Sequence, residues 1–195
     1  MAAWSAVADE FGVAIDLDDV DRRMGIKLED EVAYWFPAEG QQHAAASYRR
    51  HYVRLAPALT TLLPGAETAL AAVREAAERV VIITAKHPVS AEPSLAAVEL
   101  KPDDLFAHVH GREKAAVLVR IGAVAYVGDT PADMIAARTA RVVAVGVPTG
   151  SFSAEQLRDS GAQVILPSLL DFPAWYATFR ADIGKDGGPD DHRRS

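Results

Sequence analysis

Two aspartates spaced four residues apart follow a short apolar run in the middle of the chain. Ala123–Val127 is rich in β-branched and aromatic residues and stops at Gly128, which predicts a buried strand that ends in a turn. Pro131 suits the first turn of a helix, so we expect Asp129 at the end of the strand and Asp133 just inside the helix. Two carboxylates at such a junction favour a hard cation such as Mg²⁺, whereas either aspartate alone is typical of a helix cap.

A hydroxyl and two ammonium groups extend this pair into a candidate phosphate site. Thr84 ends a second apolar run, Val80–Ile83, and is followed by Lys86 and, further along, by Lys114. A threonine hydroxyl can donate to a phosphoryl oxygen, and a lysine supplies a positive point charge for the same group. Taken singly, Thr84 is as typical of a strand end that bonds its own turn, and each lysine is typical of a solvated surface charge.

The elements that must position these residues alternate between strand and helix. We predict strands at 80–83, 106–110, 123–127, 141–145 and 164–166. A helix at 66–78 precedes them, helices at 90–100, 111–118 and 154–159 lie between them, and a helix at 171–179 follows them. Because each strand is continuously apolar, the pattern favours an α/β fold with a parallel sheet covered on both faces. Ligands bind beyond the carboxyl ends of such strands, which is where Thr84 and Asp129 fall.

The first part of the chain has a different texture. Residues 2–62 carry helical apolar stripes and no strand pattern, which indicates a small helical unit. Asp18 or Asp19 is predicted to cap its second helix, which would run to Met24 and end at Gly25. We therefore expect a helical domain at 1–62, an α/β core at 63–182 and a disordered, charged tail at 183–195.

Composition limits the classes of function. The chain has 195 residues, a formal net charge of −7 and no cysteine, so disulfides and cysteine nucleophiles are excluded. The negative charge and the lack of a basic block argue against nucleic acid or an anionic membrane as partner. No apolar run approaches the roughly 20 residues of a membrane span and no signal-peptide pattern is visible, so we expect a cytoplasmic protein.

These motifs, in this order and spacing, resemble the haloacid dehalogenase (HAD) superfamily. Val80–Thr84, Lys114 and Gly128–Asp133 look like its second, third and fourth motifs. Residues 63–180 resemble its three-layer Rossmann-like core, and the helical unit resembles the cap of phosphoglycolate-phosphatase-like members. The resemblance implies that Thr84 orients a phosphoryl group, that Lys114 steadies nucleophile and phosphate with Lys86 assisting, and that Asp129 and Asp133 serve Mg²⁺.

The chain departs from the family at the first motif, a strand followed by Asp-x-Asp that supplies the nucleophile and the acid/base. The one similar stretch, Asp16-Leu17-Asp18, follows only three apolar residues and a helix, so we interpret it as a turn and helix cap. The family's first strand lies between those ending at Thr84 and Gly128, so the central strand is missing. Two explanations are open: either the true start lies upstream of Met1, which we favour, or the sheet has closed up or is completed by another chain, and hydrolysis is lost.

The leading prediction is a Mg²⁺-dependent phosphatase of small phosphorylated metabolites, impaired in this chain because the nucleophile motif is absent. The alternative is a non-catalytic phosphate-binding or regulatory homologue. A dehalogenase is disfavoured because Asp133 belongs to the metal-dependent branch of the resemblance. Among other candidates, His108 and His110 would share one face of a strand without a third metal ligand, and His87 would lie near the rim of the site.

Overall fold

The computed structural model describes residues 1–23 and 26–186, with side chains of 184–186 excluded. Met24 and Gly25, predicted to end the second helix, and residues 187–195 of the predicted tail lie outside the described residues.

The N-terminal unit is helical, as predicted. Its helices are α1 (Ala2–Phe11), α2 (Leu17–Arg22), α3 (Leu28–Trp35) and α4 (Ala38–Leu59). The apolar side chains that recur at helical spacing form one core, in which Trp4, Val7 and Val32 are buried. No strand occurs among the described residues before β1, and the apolar stripes therefore account for the whole architecture of this unit.

Asp16 caps α2, so the predicted cap at Asp18 or Asp19 is wrong by two or three positions. The Asp16 side chain accepts the backbone N–H groups of Asp18 at 2.9 Å and Asp19 at 3.2 Å. Asp18 and Asp19 lie in the first turn instead, where negative charge is favoured by the helix dipole. The interpretation of Asp16-Leu17-Asp18 as a turn and helix cap is thereby confirmed.

Helices and strands alternate through the rest of the described chain. They are α5 (Ala66–Glu75), β1 (Val81–Ile83), α6 (Pro88–Ala97), β2 (Asp104–Phe106), α7 (Arg112–Arg120), β3 (Ala125–Gly128), α8 (Pro131–Ala140), β4 (Val143–Gly146), α9 (Ala154–Asp159), β5 (Val164–Ile165) and α10 (Phe172–Asp186). The α/β prediction is confirmed. The final helix is longer than predicted and continues to Asp186.

The second strand of this region lies earlier than predicted. The prediction placed it at 106–110, but Asp103 pairs with Val80 through both backbone and side chain, which starts the pairing of β1 and β2 near Asp104. The backbone of His108 then takes a left-handed conformation with φ +60°, which no strand residue adopts. His108 and His110 therefore do not share a strand face.

The strands are parallel but form two separate sheets. One sheet has the order β1-β2 and the other β3-β4-β5, and no pairing joins β1 to β3 within the described chain. The alternative in which the sheet closes up is therefore wrong. A shared helical layer covers both pieces, because Ile83 of β1 clusters with Leu118 of α7 and Ala136 of α8, and Tyr126 of β3 packs against that cluster.

Candidate active site

One cavity of about 550 Å³ lies where the carboxyl ends of β1 and β3 face the N-terminal helices. Every residue predicted from the motifs lines it, namely Thr84, Lys86, Lys114, Asp129 and Asp133. Residues almost fifty positions apart thus meet because parallel strands end at the same edge.

Asp133 is the most enclosed polar group of this cavity. Its side chain is only 6% exposed, and Oδ1 accepts the Lys114 ammonium at 2.6 Å and the Tyr126 hydroxyl at 3.0 Å. Oδ2 accepts the hydroxyl of Thr130 at 2.7 Å and its backbone N–H at 3.3 Å. Four donors therefore compensate a buried charge that would otherwise be strongly unfavourable.

The start of α8 explains why this local sequence brings Asp133 inward. The hydroxyl of Thr130 accepts the Asp133 backbone N–H while the Asp133 carboxylate accepts from Thr130, which is a capping box with Pro131 at the first helical position. Gly128 is required for the same reason, since a Cβ there would lie 2.5 Å from Asp133 Cβ. The Gly-Asp-Thr-Pro turn thus folds the second carboxylate back onto the strand end.

Asp129 is half-buried and lies beside Asp133 in the same cavity. Burial raises the pKa of Asp129, and the negative charge of Asp133 raises it further, against smaller opposing effects of a backbone hydrogen bond and Lys114. Its Oδ2 occupies space that a side chain at Gly150 would fill, because a Cβ there would lie 2.5 Å away. Because its surroundings disfavour the ionised form of the Asp129 carboxylate, Asp129 is a candidate for binding a cation.

The oxygen donors present fit Mg²⁺ better than a transition metal. Within residues 1–23 and 26–186, no three His, Cys, Asp or Glu side chains are grouped as a ligand set. Mg²⁺ needs no such cage, because it keeps several waters and takes one or two carboxylates plus substrate oxygens. Asp129 is the candidate direct ligand, while the oxygens of Asp133 are already engaged and would reach the ion through water.

Thr84 and Lys86 line the same cavity as the two aspartates. The Thr84 oxygen accepts the Lys86 backbone N–H at 3.1 Å, so Thr84 bonds its own turn, as the simpler interpretation predicted. Its hydroxyl proton still leaves one donor for a ligand in the cavity. The Lys86 ammonium lies 5.5 Å from the ring centroid of Tyr52 in α4, which brings it toward the helical unit.

A family model described as haloacid dehalogenase-like hydrolase matches residues 3–141. This chain belongs to that family. The HAD resemblance recognised from the motifs is thereby confirmed, and the protein is a hydrolase at the level of its family. No curated protein matches the chain.

Several solved structures share the fold of this chain. A haloacid dehalogenase-like hydrolase from Streptococcus pneumoniae is 19% identical, with a TM-score of 0.74 over 89% of this chain and 88% of that one. A hydrolase from Pseudomonas syringae is 22% identical, with a TM-score of 0.71 over 91% and 90%. A predicted phosphoglycolate phosphatase from Haemophilus somnus 129pt is 14% identical, with a TM-score of 0.73 over 89% and 88%. At these identities the likeness establishes the fold.

Two hydrogen-bond donors of the candidate site were not predicted from the sequence. Tyr126 lies within β3 and Thr130 at the helix cap, and both bond Asp133. Thr130 could have been found, since a threonine three residues before an acidic residue is a capping-box signal. The one polar side chain in the strand, Tyr126, was a weaker signal, because tyrosine is common in strands for packing alone.

Three imidazoles form a cluster at the rim. The ring centroids of His87 and His108 are 5.5 Å apart, and those of His108 and His110 are 5.1 Å apart. The loops that carry them are tied together, since His108 donates its backbone N–H to Lys86 at 2.7 Å and Val109 donates to Thr84 at 3.0 Å. All three rings line the same cavity as the aspartates, so His87 lies near the rim as predicted.

Across the part of the chain that the structure describes, no helix has both the length and the apolarity that a bilayer crossing requires.

Proposed function

We propose that this HAD-family chain is a Mg²⁺-dependent phosphatase scaffold for small phosphate monoesters. The observation that carries the proposal is the Lys114–Asp133 ion pair, which lines the same cavity as Asp129 and Thr84. A positive charge, a carboxylate available to a cation and a hydrogen-bond donor are the groups that a phosphoryl transfer site requires.

Each residue has a defined part in this proposal. Thr84 donates its hydroxyl to a phosphoryl oxygen, and the Lys114 ammonium offsets negative charge on the phosphoryl group. Asp129 holds Mg²⁺, which when bound neutralises charge on the phosphoryl oxygens. Asp133 keeps the Lys114 ammonium directed into the cavity, and Lys86 adds a second positive charge to the cavity lining.

The nucleophile is the part that these residues do not supply. By family resemblance it is a carboxylate on a strand between those of Thr84 and Gly128, and we propose that the separation of β1 from β3 accommodates that strand. The capping role of Asp16 supports its exclusion as the nucleophile. We therefore expect little or no turnover from residues 1–195 alone.

Binding is the direct test of this proposal. Isothermal titration of the chain with MgCl₂, and with inorganic phosphate in the presence of Mg²⁺, should show binding of both. Asp129→Asn should abolish Mg²⁺ binding, and Lys114→Met should weaken phosphate binding. The Asp159→Asn variant, which changes an exposed carboxylate that does not line the cavity, should bind both normally. Absence of Mg²⁺ and phosphate binding in the unmodified chain would refute the proposal.

A second candidate is a non-catalytic phosphate-binding or regulatory HAD protein. It is favoured by the use of Asp16 as a helix cap, because Asp16-Leu17-Asp18 then cannot serve as the nucleophile motif. Fusing an apolar strand with Asp-x-Asp ahead of residue 1 distinguishes the two candidates. Mg²⁺-dependent phosphate release by the fusion, but not by its Asn-x-Asn counterpart, supports the phosphatase. A cytoplasmic location and small phosphorylated partners belong to either proposal.

A further inference from the structure

The cavity extends well beyond the residues proposed to bind phosphate and Mg²⁺. On the helical side it is lined by Glu29 of α3 and by Arg49 and Tyr52 of α4. The core contributes the imidazole cluster of His87, His108 and His110. The part of an ester that leaves with the alcohol oxygen would lie between these two walls.

Two nitrogen atoms of these lining residues are buried without a hydrogen-bond partner. They are Arg49 Nε and His110 Nε2, and they are the only such side-chain atoms among the described residues. A buried polar group without a partner costs roughly 1–3 kcal/mol, so such atoms are rare and call for an explanation. Both unpartnered atoms belong to residues that line the same cavity.

His87 and Arg49 can each present a hydrogen-bond donor to the cavity. His87 Nδ1 accepts the Val89 backbone N–H at 3.3 Å, so its neutral ring carries the proton on Nε2. Arg49 is paired with Glu29 at 2.6 Å, but the Glu29 side chain is 54% exposed and can be replaced as the acceptor. The Arg49 fork then matches a carboxylate or a phosphate.

We propose that the part of the cavity lined by Arg49 and the imidazole cluster is a second anion-binding subsite. These groups bind an anionic group on the leaving portion of the substrate. The inference rests on the proposed function, since it assumes a phosphate ester bound at Thr84 and Lys114 and assigns the binding site for the other end of that ester. The substrate class is a phosphate monoester with a second anion, either a carboxylate or another phosphate. Arg49 is the specificity-determining residue.

Calorimetric binding of three esters to the chain, at pH 7 with Mg²⁺, tests the subsite. Ethyl phosphate has no second anion, 2-phosphoglycolate carries a carboxylate, and ethylene glycol bisphosphate carries a second phosphate. We expect at least one of the latter two to bind about tenfold or more tightly than ethyl phosphate, as charge-assisted hydrogen bonds predict. The better of the two identifies the anion.

Substitution at Arg49 assigns the preference to the subsite. Arg49→Met should remove the preference for the esters with a second anion, and Arg49→Lys should retain part of it. The matched control is Arg50→Met, because Arg50 is 63% exposed, pairs with Glu10 and does not line the cavity. Glu29→Gln should preserve or strengthen anion binding, since it removes the competing carboxylate.

Three outcomes decide the matter. A preference that Arg49→Met removes and Arg50→Met keeps supports the subsite. Equal binding of all three esters, or a preference that survives in Arg49→Met, overturns it while the proposed function stands. If neither the esters nor inorganic phosphate bind, the proposed function itself fails, and the subsite with it.

Discussion

The Lys114 ammonium lies 2.6 Å from Asp133 Oδ1, and the two side chains are only 12% and 6% exposed. Little solvent screens this pair, and Tyr126 and Thr130 satisfy the rest of the carboxylate. The pair is therefore both a fixed point of the fold and the source of positive charge in the proposed site. Its removal should affect stability and ligand binding together.

Breaking the pair from one side should be strongly destabilising. Lys114→Met leaves the Asp133 charge buried without its counter-ion, and we expect a loss of about 3–5 kcal/mol in the free energy of unfolding. Urea denaturation measures it. The double variant Lys114→Met/Asp133→Asn should lose less than the sum of the single changes, because it leaves no unpaired charge.

The exposed pair Arg22–Asp19 provides the control for this prediction. Arg22 is 65% exposed, so Arg22→Met should change the free energy of unfolding by no more than about 1 kcal/mol. A loss in Lys114→Met no larger than that in Arg22→Met would show that the buried pair does not hold the fold.

Asp129→Asn should stabilise the metal-free protein while abolishing Mg²⁺ binding. Burial and Asp133 raise the pKa of Asp129, so the folded protein holds this proton more tightly than the unfolded chain. Stability is therefore lost as pH rises from the ordinary aspartate pKa through the raised one, and a neutral side chain avoids that loss. Calorimetry without Mg²⁺ at pH 7 should show a higher Tm, by roughly 2–4 °C for each kcal/mol of relieved repulsion. An unchanged or lower Tm would contradict the argument.

Mg²⁺ binding should weaken on acidification earlier than an ordinary aspartate would allow. The ion binds the ionised carboxylate, and the raised pKa of Asp129 shifts its protonation to higher pH. Titrations with Mg²⁺ between about pH 4 and 8 should show affinity falling already above the unperturbed value of about 3.9. A flat affinity down to that value would exclude Asp129 as the titrating ligand.

Gly150→Ala should impair Mg²⁺ binding through Asp129. The new Cβ would lie 2.5 Å from Asp129 Oδ2, so the carboxylate must move. We expect affinity for Mg²⁺ to fall by about tenfold or more, as for changes in groups that orient a ligand. Gly40→Ala is the control, because its Cβ would meet nothing nearer than Phe36 at 4.0 Å and alanine favours helix α4. Equal affinities in the two variants would count against the role of Asp129.

Much of the fold and the location of the candidate site could be predicted because they depend on local patterns. The apolar runs before Thr84 and Gly128 predicted strands, which the structure forms with mostly half-buried residues, and parallel strands bring their ends to one edge. The catalytic and metal roles of the site residues remain predictions. The family resemblance added the proposed roles of Thr84 and Lys114, which no local pattern contains, but the Lys114–Asp133 ion pair was not predicted.

What could not be predicted depends on contacts between distant segments. The start of β2 is fixed by Asp103 bonding Val80, which lies twenty-three residues earlier. The imidazole cluster arises because the left-handed backbone at His108 turns its ring toward neighbours in two loops. Arg49 carried no signal in the sequence, since its proposed role depends on the distant residues that line the cavity with it.

Thr84 and Asp129 are carried by β1 and β3, which no backbone ladder joins in the described chain. Ile83 of β1 and Tyr126 of β3 both pack against the cluster that contains Leu118 and Ala136, so we expect the volume of these two side chains to contribute to the distance between the strands. The distance between the Thr84 hydroxyl and the Asp129 carboxylate should therefore change when core side chains gain or lose methyl groups. Selection for a larger or smaller ligand could thus act on residues that never touch it.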